Sequence, residues 1–217
     1  LALRNVPMFR TQLRAILRAS ALGQVRVMFP LVSTILEFRQ AKMVLADVIE
    51  DLEEHGVEYD HELQVGMMVE VPSAVMMIDH FVEEADFLSI GTNDLVQYTL
   101  AVDRSNKDVV GLYNSADPAV LKLISMTVQA AKRKGVPLSL CGQMSGNPVY
   151  TMLLLGMGLR QFSVTPAAIP EIKKICRSVS IEDCRKVAQR SRTMENARDI
   201  RSYLKEELRR HVPELGQ

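Results

Sequence analysis

The sequence predicts an α/β protein built on a parallel β-sheet. Short apolar runs alternate with longer amphipathic stretches along most of the 217 residues. The runs read as apolar on both faces, which is what strands covered by helices require. Two of them lead into a helix-start signal, a Thr-x-x-Glu box or a proline at the first helical position. About five such strands, each trailed by a helix and followed by helical pattern alone, leave two architectures open. An open sheet of five would be complete; a (β/α)₈ barrel would lack three units.

The elements follow in order. The stretch FRTQLRAILRASALG predicts a helix closing on Gly23, and VRVMFP, residues 25–30, a strand. Thr34 and Glu37 have capping-box spacing and open an amphipathic helix from Thr34 to His55. VGMMVEV, residues 65–71, is the next strand, with Pro72 starting an apolar-striped helix to about Glu84. FLSI, residues 87–90, is a strand, and LVQYTLAV after it reads as helical. Asp117-Pro118 marks the cap and first turn of a helix that reaches Lys134 and stops at Gly135. PLSLCG (137–142) and QFSV (161–164) are the remaining strands, on either side of a helix around YTMLLLGMG. Beyond Pro170 only helices are expected, with Ser180 and Asp183 as a further cap.

Composition narrows the function. Basic and acidic residues balance at 26 each, so charge gives no argument for nucleic acid or an anionic membrane. No apolar run approaches the ~20 residues of a membrane span, and the first residues do not resemble a signal peptide. Three cysteines, Cys141, Cys176 and Cys184, without CxxC spacing suggest a reducing compartment, and we read the chain as cytoplasmic. A start at Leu1 rather than Met reads as a fragment or a processed product. The four histidines show no metal-ligand spacing and read as solvated or capping, the twelve methionines read as core filler, and the Gly156–Arg160 stretch GMGLR lacks Walker spacing.

In either architecture ligands bind at the carboxyl ends of the strands, and chemistry gathers there. Glu70 interrupts an apolar strand, and a lone buried carboxylate is costly unless paired or bound to a cation. Asp94 follows the next strand. With neighbouring strands ~4.8 Å apart, the two carboxylates could grip one cation, and oxygen ligands without His or Cys suit Mg²⁺; the plainer alternative is that both acids cap helices. Asn93 offers a donor amide to an oxyanion or caps the helix after it. Arg104 could return to the same mouth as a phosphate clamp, or pair on the surface with Asp103 or Asp108. Cys141, at a strand tip before Gly142, is a candidate proton donor or nucleophile, or a small core residue.

Three segments together resemble a known family: Met68–Ala74 (MVEVPSA), Phe87–Asn106 (FLSIGTNDLVQYTLAVDRSN), and Cys141-Gly142 followed by Leu153–Gly158. They are similar to phosphoenolpyruvate-protein phosphotransferases, enzyme I of the sugar phosphotransferase system, from about Phe9 to Lys174. Pyruvate phosphate dikinase and phosphoenolpyruvate synthase share the broader pattern but differ after GTNDL. The resemblance implies a (β/α)₈ barrel of the phosphoenolpyruvate/pyruvate type, of which this chain supplies about five βα units over residues 1–178 and C-terminal helices over 179–213. It implies a homodimer that binds phosphoenolpyruvate and Mg²⁺, passes the phosphoryl group to a histidine on a separate domain and thence to a phosphocarrier protein, and releases pyruvate. Glu70 and Asp94 would hold Mg²⁺, Asn93 and Arg104 would contact the phosphate, and Cys141 would protonate the enolate.

The chain departs from the family pattern in three respects. None of its histidines fits the phospho-accepting motif. The first three barrel strands, with two substrate-binding arginines and a lysine, are not in it, so turnover by this chain alone is not expected. Gln143 stands where the family usually has the acid of Cys-Gly-Glu. Two alternatives are a fragment of a dikinase or synthase and a non-catalytic sensor or dimerisation module that keeps the pocket.

Overall fold

A computed structural model describes residues 2–215. Five parallel strands, β1 (Arg26–Phe29), β2 (Gln64–Val69), β3 (Leu88–Gly91), β4 (Leu138–Cys141) and β5 (Gln161–Phe162), pair in sequence order. A doubly wound open sheet reverses its strand order at a switch point. This sheet does not reverse, so right-handed crossovers carry every connecting helix to the same face. That is the order of consecutive units in a barrel wall.

The helices are α1 (Val6–Ser20), α2 (Ile35–Glu54), α3 (Pro72–Met76), α4 (Ile78–Phe81), α5 (Thr92–Leu100), α6 (Pro118–Lys134), α7 (Pro148–Met157), α8 (Ile169–Ser178), α9 (Ile181–Ser191) and α10 (Ala197–His211). Several termini sit where local chemistry puts them. Thr34 and Glu37 make both hydrogen bonds of the capping box, and the Asp117 side chain accepts the Ala119 N–H ahead of α6. Gly135, with φ 70°, ends α6 in the left-handed conformation. Ser180 likewise accepts the Asp183 N–H.

Two expectations are corrected. The helix expected from Pro72 to Glu84 is two short helices, because the backbone leaves the helical region at Met77 (φ −105°, ψ 17°); the apolar stripe runs through the break and hides it. The strands are not apolar on both faces. Val27, Phe29, Met67, Val69, Leu88, Ile90 and Leu140 face the helices and are buried. The alternate positions carry Gly66, Ser89, Gly91, Ser139 and Cys141 beside the half-buried Met28 and Met68, so the face away from the helices mixes small and polar side chains with apolar ones.

On the helix side, Phe9, Phe29, Phe38 and Phe81 meet edge to face at 5.9, 6.1 and 6.1 Å, linking α1, β1, α2 and α4. Helix α7 is apolar nearly all round, with Tyr150, Thr151, Met152, Leu153 and Leu154 buried, and such a helix must be covered on both sides. The C-terminal helices α9 and α10 pack against it. Gly156 of α7 permits that contact. A Cβ there would lie 1.9 Å from the backbone oxygen of Cys184 in α9 and 2.9 Å from the Ala188 Cβ.

Gly156→Ala therefore forces α9 away from α7. The expected cost is about 1–3 kcal/mol, read in thermal unfolding as roughly 2–4 °C per kcal/mol for a chain of this size. Gly23→Ala, where nothing lies within 4 Å of the added carbon, is the control and should leave the midpoint in place. Equal midpoints for both variants would refute the close helix contact.

Candidate active site

The register of the three central strands builds the site. Val69 pairs with Ile90, Ile90 with Leu140, and Gly91 with Cys141. One residue past Val69, Glu70 falls beside Gly91, so Glu70, Gly91 and Cys141 form a row across the carboxyl ends of β2, β3 and β4. All three project to the face away from the helices, because side chains alternate along a strand. The absence of a side chain at Gly91 leaves room for Glu70. A Cβ at 91 would come within 2.6 Å of Glu70 Oε2 and 2.8 Å of Met68 Sδ.

Glu70 is 3% exposed. Its Oε1 accepts the Leu31 N–H at 2.8 Å from the loop after β1. Burial pushes its carboxyl above the usual carboxylate range, the Leu31 N–H opposes that, and neighbouring Asp94 adds to it. Asp94 lies in the first turn of α5, whose N-cap is Gly91 with no side-chain capping bond. Glu70 does not cap α3 either. The alternative of two helix-capping acids is thus excluded: the two carboxylates are neighbours in one half-buried place. Their oxygen donors, one of them buried at a cost, fit a hard divalent cation such as Mg²⁺, which would offset the like-charge repulsion.

Asn93 is not a cap. Its Oδ1 accepts the Gln143 N–H at 2.9 Å, so the loop after β4 fixes the amide and leaves its Nδ2 as the free donor. Thr92 Oγ1 donates to the Cys141 carbonyl at 2.8 Å, tying the start of α5 to the end of β4. Gly142, at φ 91°, gives the chain the turn these bonds need; a Cβ there would strike Thr92 Oγ1 at 2.4 Å and Asn93 Oδ1 at 2.9 Å. The Cys141 thiol donates weakly to the Ile90 carbonyl at 3.5 Å. Burial pushes that thiol above its ordinary value, a hydrogen bond with Ser89 pulls it down, and the charges of Glu70 and Asp94 raise it further. A thiol so placed stays protonated near neutral pH. That suits a proton donor and argues against a thiolate nucleophile.

Arg104 pairs with neither Asp103 nor Asp108. Its Nη2 lies 3.9 Å from Asp94 Oδ1, while Asp103 accepts hydrogen bonds from Ser105. The arginine is exposed, on the long connection between α5 and α6, and joins the site through Asp94. The five residues picked from sequence are therefore brought to one end of the sheet. A cleft there, lined in part by Asn93, Cys141, Gly142 and Thr165, opens between the tips of β4 and β5. Sequence reasoning passed over Tyr113, whose hydroxyl donates to the Asn93 carbonyl at 3.4 Å; a single tyrosine in a loop carries no spacing signal. The histidines stay outside the site. Exposed His55 and Glu54 lie with half-buried Asp51 at the end of α2, their ligand atoms within 4.8 Å of one another, a juxtaposition not expected from the spacing. Asp51 there is already paired with Arg14.

With this geometry in hand, comparison with known proteins decides the family. The sequence model described as PEP-utilising enzyme, PEP-binding domain, matches residues 1–181. The chain belongs to that family. A phosphoenolpyruvate-protein phosphotransferase from Geobacillus stearothermophilus is 42% identical over 205 residues, 94% of this chain and 36% of that protein. The one from Cupriavidus necator is 48% identical over 167 residues, 77% of this chain and 28% of the relative, and the one from Haemophilus influenzae 42% over 206 residues, 95% and 36%. The chain thus spans about a third of the length of these relatives. Among solved structures, a citrate lyase from Burkholderia xenovorans LB400 shares the fold, with a TM-score of 0.56 at 16% identity, covering 96% of this chain and 69% of that one.

Because Gly91 is the seat of Glu70, Gly91→Ala should displace the carboxylate and break its bond to Leu31. Overpacking of this kind costs about 1–3 kcal/mol. Urea denaturation should show a lower midpoint at unchanged slope, and a midpoint equal to the parent's would mean that Glu70 does not occupy this seat.

Proposed function

We propose that this chain supplies the phosphoenolpyruvate- and Mg²⁺-binding part of a phosphoenolpyruvate-protein phosphotransferase. In this reading the phosphoryl group passes to a histidine on a separate domain and on to a carrier protein, pyruvate is released, and the protein works as a cytoplasmic homodimer. The supporting observation is the convergence of two carboxylates, a fixed amide donor and a protonated thiol on one row of strand ends. The shared name of the relatives favours a phosphotransferase over a dikinase.

Glu70 and Asp94 would hold Mg²⁺, whose charge would neutralise phosphate oxygens as the phosphoryl group departs. Asn93 offers its free Nδ2 to a phosphate oxygen, an orientation set by Gln143. Arg104 adds a cation that can leave Asp94 for the phosphate, since an exposed pair at 3.9 Å holds it only weakly. As the enol-ester P–O bond breaks, the electron pair stays on oxygen. The resulting enolate takes a proton at carbon from the Cys141 thiol to give pyruvate, and the thiolate is reprotonated by solvent.

Two tests follow. Mn²⁺ titration followed by electron paramagnetic resonance should reveal a site that Asp94→Ala largely removes; binding that survives the substitution would reject the carboxylate pair as ligands. For Cys141, the assay is pyruvate release coupled to lactate dehydrogenase, in the full-length protein. Cys141→Ala should bind Mn²⁺ and phosphoenolpyruvate nearly normally and release pyruvate ~10²–10⁴-fold more slowly. Near-parental release would return Cys141 to a packing role.

A further inference from the structure

On the far side of Gln143 from the strand-tip cleft lies a second, smaller pocket. Tyr113, Asn114, Gln143, Asn147, Tyr150 and Arg201 supply most of its polar lining, and no acidic side chain lines it. The lining comes from four places in the chain: the end of the α5–α6 connection, the loop after β4, the start of α7 and the first turns of α10. Nothing in the sequence pattern singles these residues out.

The donors of this pocket are left over by the fold. Asn114 Oδ1 accepts the Ala116 N–H and Asn147 Oδ1 accepts the Val149 N–H, so each amide turns its NH₂ away from its own turn. Tyr150 is 5% exposed, and among the described residues its hydroxyl has no hydrogen-bond partner. The ring is buried while the hydroxyl opens onto the pocket. Arg201, in the same wall, makes no ion pair or hydrogen bond among the described residues. Its charge acts on the Tyr150 phenol, which burial pushes up and Arg201 pulls down. A guanidinium, the Tyr150 hydroxyl and amide NH₂ groups around one space, without a carboxylate, make a site suited to an oxyanion.

We propose that this pocket binds a small oxyanion of the phosphate type, at a site separate from the strand-tip cleft. A tetrahedral ion is favoured over a planar carboxylate because the lining is drawn from α7, α10 and two loops, and three or four oxygens can meet donors on several sides where two cannot. The pocket also touches what holds Asn93: Gln143 gives its backbone N–H to the Asn93 side chain, and the Tyr113 hydroxyl donates to the Asn93 carbonyl. An ion seated here therefore bears on the orientation of Asn93 from behind.

The test uses the 217-residue chain with ring-labelled tyrosine, followed by NMR during titration with inorganic phosphate, and needs no phosphoenolpyruvate. The Tyr150 signal is assigned by its loss in Tyr150→Phe. Phosphate should shift the Tyr150 resonance in a saturable way. Arg201→Gln, an exposed change that leaves the thermal midpoint in place, should raise the half-saturating concentration roughly 10- to 100-fold, the usual consequence of losing a charge-assisted pair. Asp94→Ala should leave that concentration unchanged, which separates this pocket from the strand-tip site. A wild-type Tyr150 signal indifferent to phosphate, or a shift unaffected by Arg201→Gln, would overturn the proposal. Acetate acting at the same concentration as phosphate would overturn its choice of a tetrahedral ion.

Discussion

A buried carboxylate that the fold cannot neutralise by itself is the constraint around which the centre of this domain is arranged. Glu70 stands at the tip of β2 with 3% of its surface exposed. One hydrogen bond, from Leu31, is far less than water would offer an ionised group. The chain then places a second acid, Asp94, beside it and not a cation. Two like charges with one of them desolvated form an arrangement that stability alone does not favour. It persists because the surrounding parts are fixed by other needs: Gly91 leaves the space, the strand register sets the row, and α5 begins immediately after β3 so that Asp94 has nowhere else to go.

The same economy accounts for Asn93 and Cys141. Both side chains are held by bonds that join the end of β4 to β3 and the start of α5. Asn93 is held by a backbone amide two residues past the end of β4, and β4 is in turn held to α5 by Thr92. The start of one helix and the end of the neighbouring strand are thereby locked into a single unit, with Gly142 as the turn that lets them meet. The thiol is kept neutral first by its burial and further by the charges of Glu70 and Asp94.

Much of this was legible in the sequence, for reasons that differ by residue. Helix ends written by local chemistry, at Thr34, Asp117, Gly135 and Ser180, fall where short-range hydrogen bonds and backbone preference put them. Glu70 was conspicuous because an acid in an apolar strand breaks the pattern, and GTNDLVQYTLAVDR carries a family resemblance along its whole length. What escaped reading depended on tertiary contact. Met77 breaks a helix inside an unbroken apolar stripe. Ser89 and Ser139 line an inner face that hydropathy alone could not distinguish from an outer one. The partner of Arg104 is Asp94, ten residues back and not its sequence neighbours, because the chain turns back at Ala101 after α5 and brings the arginine toward that helix's first turn. Gly156 looked like part of a failed phosphate-loop motif, whereas its use is to let two helices touch.

The edge-to-face rings of Phe9, Phe29, Phe38 and Phe81 join α1, β1, α2 and α4 at one end of a single hydrophobic core that continues to α7, α9 and α10 at the other. Glu70 stands at the end of β2 and Cys141 at the end of β4, with Asn93 and Asp94 on the helix that follows β3 between them. The row is therefore spaced by the strand ladders themselves. Separating the acid from the thiol means breaking the ladder on one side of β3, so the row keeps its spacing through any local opening that leaves the centre of the sheet paired.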